Sequence, residues 1–327
     1  MMVDDWGLRG DRTNRERFLV TSSSALGRAL RVGAALGLVL TFLVCEPMSA
    51  FGQDLLLPEW EYEPAPESGR LKRGAGKTAE VSWSLLNDTL SDTWSITKSP
   101  LHWRLKGWLA AAAIAGVTTG LIYGVDQRVR DAAQGNAGFN DFGEGIRWVA
   151  TGPGLAALTG GFALTGFFFD RPKEMETARL LIEASASGFL FTAAGKYTIG
   201  RSRPRTNDSP FAFSPFSGSV SMPSGETTSA FIMAGVITSQ YPHWAVQLSA
   251  YSLAAAVGAG RIALDAHWTS DVFISAALGI AVSKAVVYFN RKRAERRRLK
   301  GSKQNSTPDR RHFFQISPRA FRWTIVY

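Results

Sequence analysis

What most limits the fold of this chain is a series of six apolar segments, Gly107–Val125, Trp148–Phe169, Ala178–Gly195, Thr227–Gln240, Ala245–Gly260 and Asp271–Phe289. Gly and Ala are abundant in them, as in Gly152-Pro-Gly-Leu-Ala-Ala-Leu-Thr-Gly-Gly161, and small residues let helices approach closely. The expected fold class is all-α, a bundle of about six apolar helices. The first, second and last segments approach the ~20 residues that cross a bilayer. The third carries Arg179 and Glu183, and the fourth and fifth are short. A membrane-embedded bundle is therefore expected, with a soluble or peripheral one as the alternative. Mean hydropathy of -0.03 is low for a protein with many spans, which keeps that alternative open.

Three clusters of charged and small residues border these segments. The first is Lys196-Tyr-Thr-Ile-Gly-Arg-Ser-Arg203-Pro204. On a helix its lysine and arginine, two turns apart, would share a face and close on one anion. In the second, Met222-Pro223-Ser224-Gly225-Glu226-Thr227-Thr228 leads into an apolar run. It reads as a loop entering a helix, where backbone N–H groups and the dipole favour phosphate. The third is Arg261-Ile-Ala-Leu-Asp-Ala-His267-Trp-Thr-Ser-Asp271, an arginine, a histidine and a carboxylate placed to orient the imidazole. Three cations, a helix start and a His–Asp pair describe a phosphate site with a nucleophile in it.

The order Lys-x6-Arg-Pro, Pro-Ser-Gly, Arg-x5-His-x3-Asp resembles the type 2 phosphatidic acid phosphatase (PAP2) family, with its relatives the vanadium haloperoxidases and bacterial class A acid phosphatases. The resemblance implies His267 as nucleophile, forming a phosphohistidine that water hydrolyses. Asp271 would accept the other ring N–H. Lys196, Arg203 and Arg261 would hold the phosphate oxygens, and Ser224 with the Gly225 amide would complete the cradle. It also implies a lipid or isoprenoid phosphate as substrate and a site on the periplasmic side of a bacterial inner membrane. A soluble or peripheral periplasmic protein is the alternative location. Three cations can neutralise a phosphoryl group, and no Cys/His cluster has metal spacing, so neither a metal nor another cofactor is expected.

One position departs from the family pattern. Glu226 stands where the family has the histidine that protonates the leaving group. A carboxyl there serves as an acid only if its pKa rises, whereas neighbouring arginines lower it. Three expectations follow: a slower or acid-shifted phosphatase, one acting on a leaving group that needs less protonation, or a lipid-phosphate-binding protein with little or no catalysis. A haloperoxidase is a poorer match, because those enzymes use the same missing histidine.

The net charge of +10 is not spread along the chain. Ten basic and two acidic residues lie between Arg291 and His312, directly after an apolar helix. That is the pattern of a cytoplasmic flank or anionic-lipid contact rather than a nucleic-acid site. The expected organisation is a leader over 1–52, a polar lead-in over 53–104, the phosphatase-like bundle over 105–289 and a basic tail over 290–327. The leader has an apolar run, Val32 to Val44, and small residues before a cleavage point after Gly52, as in a signal peptide or signal anchor. The lead-in reads as short amphipathic turns. A cytoplasmic tail puts the motifs outside after six crossings, whereas an exported residue 53 puts them inside, so both cannot hold. The alternation Phe321, Trp323, Ile325, Tyr327 allows a terminal strand or surface anchor.

Overall fold

The computed structural model describes residues 75–305, with side chains from 83 to 299. The leader and the Phe321–Tyr327 alternation lie outside the described residues. Among those residues there are nine α-helices, three 3-10 turns and no strand. The helices are α1 (Ala75–Lys98), α2 (Leu105–Gly124), α3 (Asp126–Gln134), α4 (Ala137–Ile146), α5 (Gly152–Phe168), α6 (Pro172–Ile199), α7 (Gly225–Gln240), α8 (Trp244–Ala263) and α9 (Thr269–Asn305). Each of the six apolar segments falls on one of them, so the all-α expectation holds. The chain divides into a compact unit ending at Phe289 and a second one from Asn290, whose described part is helical through Asn305.

The core is built around α7, in which Ala230, Phe231, Ile232, Met233, Ala234 and Val236 are all buried. A helix that is apolar on every side has to be enclosed, and α6, α8 and the first part of α9 enclose it. Leu180, Leu181 and Ala184 come from α6, Ala254, Val257 and Ile262 from α8, and Val272, Ala276 and Ile280 from α9. Close approach sets the geometry. A Cβ on Gly279 would stand 2.7 Å from the Thr228 carbonyl oxygen and 2.8 Å from the Phe231 Cβ. That spacing fixes α9 against the start of α7, where two of the motifs meet.

Three helices go beyond the six. Helices α3 and α4 are short, and α1 occupies part of what reads as a lead-in of short turns. Its polar face, with Asp88, Thr89 and Asp92, is buried, while Trp83, Leu86, Leu90 and Trp94 point outward. Asp88 pairs with Arg179 of α6, and Thr93 donates to Ser187 at 2.9 Å. Apolar periodicity misses such a helix because polar contacts attach it to the bundle. The same contacts explain the charges inside α6. Arg179 is shared between Asp88 and Glu183, the latter at 2.7 Å and fully buried, so neither carboxylate is left unpaired. The second apolar segment is also interrupted: a 3-10 turn, Arg147–Ala150, ends at Thr151, and α5 begins with Pro153 in its first turn.

Candidate active site

The chain leaves α6 through Gly200, whose φ of 60° is left-handed and open to glycine at little cost. Lys196 lies in the last turn of α6, while Arg203 lies beyond the break. The expectation that both cations share one helix face is thus corrected. It is the turn at Gly200, held by a bond from its N–H to the Lys196 carbonyl at 3.0 Å, that sends the following residues back across the site. Arg201 then bridges to Phe213, and the loop ends at Ser224, which caps α7 by accepting from the Thr227 N–H (3.4 Å) and hydroxyl (3.0 Å). Arg261 comes from the last turn of α8 and His267 from the loop before α9, whose first turn holds Asp271.

His267 is buried, and its Nδ1 lies 2.7 Å from the Ser221 carbonyl oxygen. A carbonyl only accepts, so Nδ1 carries the proton and the lone pair is on Nε2. That nitrogen is buried with no hydrogen-bond partner among the described residues, 3.7 Å from Glu226 Oε2. Asp271 Oδ2 is 3.8 Å from Nδ1, beyond hydrogen-bond range. The expected direct Asp271–imidazole bond is therefore replaced by a relay. Asp271 Oδ2 accepts from the Ser221 hydroxyl at 2.5 Å and the Trp268 N–H at 3.0 Å, and Ser221 presents its carbonyl to the ring.

Arg201 reads from sequence as a headgroup contact or a solvated charge, and the structure reverses this. Its side chain is fully buried. All five donors are used: Nε and Nη2 on the Pro210 carbonyl, Nη1 on Ser270 Oγ and Asp271 Oδ1 (both 2.6 Å), and Nη2 also on Asp126 Oδ2 at 2.8 Å. Asp126, just past α2, also accepts from the Ser270 N–H at 2.8 Å and the Ser270 hydroxyl at 2.6 Å. Sequence reasoning passed over Asp126, whose only signal is a carboxylate ending an apolar segment. Arg205, by contrast, is exposed. Nearby, Arg130 grips Asp265 with two bonds of 2.9 Å and fixes the loop that carries His267.

Glu226 lies beside His267, its Oε2 3.7 Å from Nε2 and its Oε1 3.5 Å from Arg261 Nη2. The His267 ring, when it carries a proton on Nε2, holds its carboxyl well below the usual range; burial opposes this, and Arg261 adds to the depression. It is therefore ionised at neutral pH. Burial lowers Lys196 and Arg203 from their usual values, and the repulsion of each by neighbouring arginines, Arg261 among them, acts the same way. Lys196 Nζ donates to the Val220 carbonyl at 2.6 Å. The Nε atoms of Arg203 and Arg261 are buried without a partner among the described residues, as is His267 Nε2. Two guanidinium donors with nothing to bind suit the oxygens of a tetrahedral oxyanion, and an imidazole lone pair suits its electrophilic centre. At Gly225 and Glu226 a cavity of about 310 Å³ opens, lined also by Thr151, Gly188, Phe189 and Thr192 among others. Among the described residues no group of three or more His, Cys, Asp or Glu could hold a metal ion.

Residues 177–295 match the model of the PAP2 superfamily. A lipid A 1-phosphatase of Porphyromonas gingivalis is 29% identical over 170 residues, which cover 50% of this chain and 34% of that protein. The chain thus spans about a third of the length of this curated relative. Two solved structures are more distant. The crystal structure of Aquifex aeolicus LpxE is 19% identical, with a TM-score of 0.41 over 51% of this chain and 96% of that one. A transmembrane PAP2 type phosphatidylglycerolphosphate phosphatase from Bacillus subtilis is 20% identical, with a TM-score of 0.36 over 64% and 95%. Asp126 lies outside the matched stretch, whereas Lys196, Arg203, Ser224, Glu226, Arg261, His267 and Asp271 all lie inside it, and it is over residues 177–295 that this chain is similar to the PAP2 superfamily.

Proposed function

We propose that this protein is a phosphatase for lipid or isoprenoid phosphates, with His267 as nucleophile and Lys196, Arg203 and Arg261 as the groups that carry the phosphoryl charge. One observation supports this most directly: His267 Nε2 is buried and unpartnered, its tautomer set by the Ser221 carbonyl, beside the unpartnered Nε atoms of two arginines. In the first step Nε2 attacks phosphorus, the bond to the leaving oxygen breaks, and that oxygen takes a proton from solvent water as the alcohol departs. In the second, water attacks the phosphohistidine, releasing inorganic phosphate and the free imidazole. Ser224 and the Gly225 amide at the α7 start complete the cradle.

Glu226 modifies this chemistry. As an ionised carboxylate it cannot donate a proton, and it competes with phosphate for Arg261. A phosphate dianion placed beside it raises its pKa, so substrate binding takes up a proton and grows stronger as pH falls. An acid-shifted phosphatase follows. Its cavity is where the leaving group would rest.

Among the described residues two helical stretches are long and apolar enough to cross a membrane: α2, almost wholly unburied, and Thr269–Leu299 of α9, whose apolar part is mostly buried. With the basic run after Phe289, they support an inner-membrane enzyme whose site faces the periplasm. The P. gingivalis relative supports a lipid phosphate as substrate, and the residues do not select one. Phosphate release by wild type, Glu226→His and His267→Ala, assayed from pH 4 to 8 on lipid phosphates in mixed micelles, tests the reading. Activity rising towards acid pH, lost in His267→Ala and gained at neutral pH in Glu226→His, is expected. A wild type no faster than His267→Ala across that range would favour the second reading, a lipid-phosphate-binding protein in which the Glu226–Arg261 pair occupies the anion position.

A further inference from the structure

We propose that Asp126 and Arg201 are positioning residues of the His267 site, which act through Asp271 and Ser221 to hold the imidazole in its Nδ1–H tautomer with Nε2 free. The path is continuous. Asp126 and Ser270 hold one side of the Arg201 guanidinium, and Arg201 Nη1 holds Asp271 Oδ1 at 2.6 Å. Asp271 Oδ2 takes the Ser221 hydroxyl at 2.5 Å, and the carbonyl of the same residue takes the His267 Nδ1–H at 2.7 Å. None of these groups is more than 1% exposed.

Each link has one role. Asp271 lies too far from the ring to bond to it, so it cannot set the tautomer directly. It can only hold Ser221, which needs both carboxylate oxygens oriented. Arg201 fixes one of them and the Trp268 N–H, with Ser221, fixes the other. Asp126 in turn keeps the guanidinium from following Asp271 alone, because the planar fork has acceptors on both sides. Buried ion-pair networks stabilise folds weakly compared with apolar packing. Here the network meets the loop that carries the nucleophile and brings in α3, a helix outside the PAP2-matched stretch. A family pattern read along residues 177–295 therefore omits a part of the site's support.

The nucleophile assignment rests on the phosphatase reading, and the test separates the two. Full-length protein labelled with [15N]histidine, with His102→Gln, His243→Gln and His312→Gln, reports the His267 tautomer by NMR in detergent or lipid. Activity is measured on the same preparations. Asp126→Asn keeps the shape and removes the charge; Ser270→Ala removes the hydroxyl that bridges Asp126 and Arg201. Both are expected to lower the Nδ1–H fraction and to reduce kcat by about 10–100-fold, the scale of a sub-ångström to 1 Å misplacement, with KM within about twofold. If both variants fold and leave tautomer and kcat as in wild type, the proposal is wrong. It is equally wrong if neither folds, since the network is then structural only. A tautomer shift in a protein whose wild type hydrolyses no lipid phosphate would remove the phosphatase reading and keep the positioning one.

Discussion

Arg201→Met is the sharpest test of how the site is held. Methionine keeps the apolar stem and much of the volume but removes five donors and the charge. Two carboxylates lose the same cation, Asp126 at 1% exposure and Asp271 at 0%. Removing one partner of a buried pair costs roughly 3–5 kcal/mol, because the other charge is left uncompensated. At about 2–4 °C per kcal/mol for a domain of this size, the midpoint of thermal unfolding near pH 7 should fall by about 6–20 °C. The measurement is a melt of purified protein in one fixed detergent or lipid. The deficit should shrink as pH falls, because an orphaned buried carboxylate regains neutrality by taking a proton. Adding Asp126→Asn to Arg201→Met should restore part of the loss, since it removes one of the stranded charges. A fall of less than about 3 °C, or simple additivity of the two substitutions, would refute the reasoning, because the charges would then not depend on one another.

Other substitutions probe the site and its frame. Glu226→Gln should tighten inorganic phosphate binding at neutral pH by about tenfold or more, because like charges brought together cost several kcal/mol; unchanged inhibition by phosphate would contradict this. The folded-state pKa of Glu226 is depressed, so its pairing with a protonated His267 and with Arg261 stabilises the fold above the usual carboxylate range and is lost as pH falls through the folded value. Melts of Glu226→Gln and wild type should therefore converge only in strong acid. Gly279→Ala places a Cβ against the Thr228 carbonyl and should cost roughly 1–3 kcal/mol, visible as a lower melting temperature. Gly200→Ala meets both a left-handed φ and the Ser214 carbonyl, and should cost at least about 1 kcal/mol.

Much of the site is legible in the sequence, for identifiable reasons. The residues proposed to hold the phosphate, Arg203, Arg261 and His267, sit in short motifs at or beside helix ends, and a helix end writes its chemistry locally: Gly200 past one helix, Pro223-Ser224 before another. The apolar segments are legible because a helix enclosed by others, as α7 is, or one long and apolar enough to cross a membrane, as α2 is, carries a continuous apolar run. Helix α1 was not legible as a helix, since its buried face is polar and its outward face apolar, the reverse of the usual signal. The roles of Asp271 and Arg201 were misread because spacing suggests contacts along a helix and cannot show contacts across a fold.

By itself the sequence determined an all-α bundle of apolar helices, the three motif clusters and the substitution of a glutamate at position 226. Only the tertiary structure decided that His267 faces the carbonyl of Ser221, 46 residues earlier, and that Arg201 is buried against Asp126, 75 residues away. The physical reason is that burial of a charge depends on which partners the packed helices bring to it, and that information has no period along the chain.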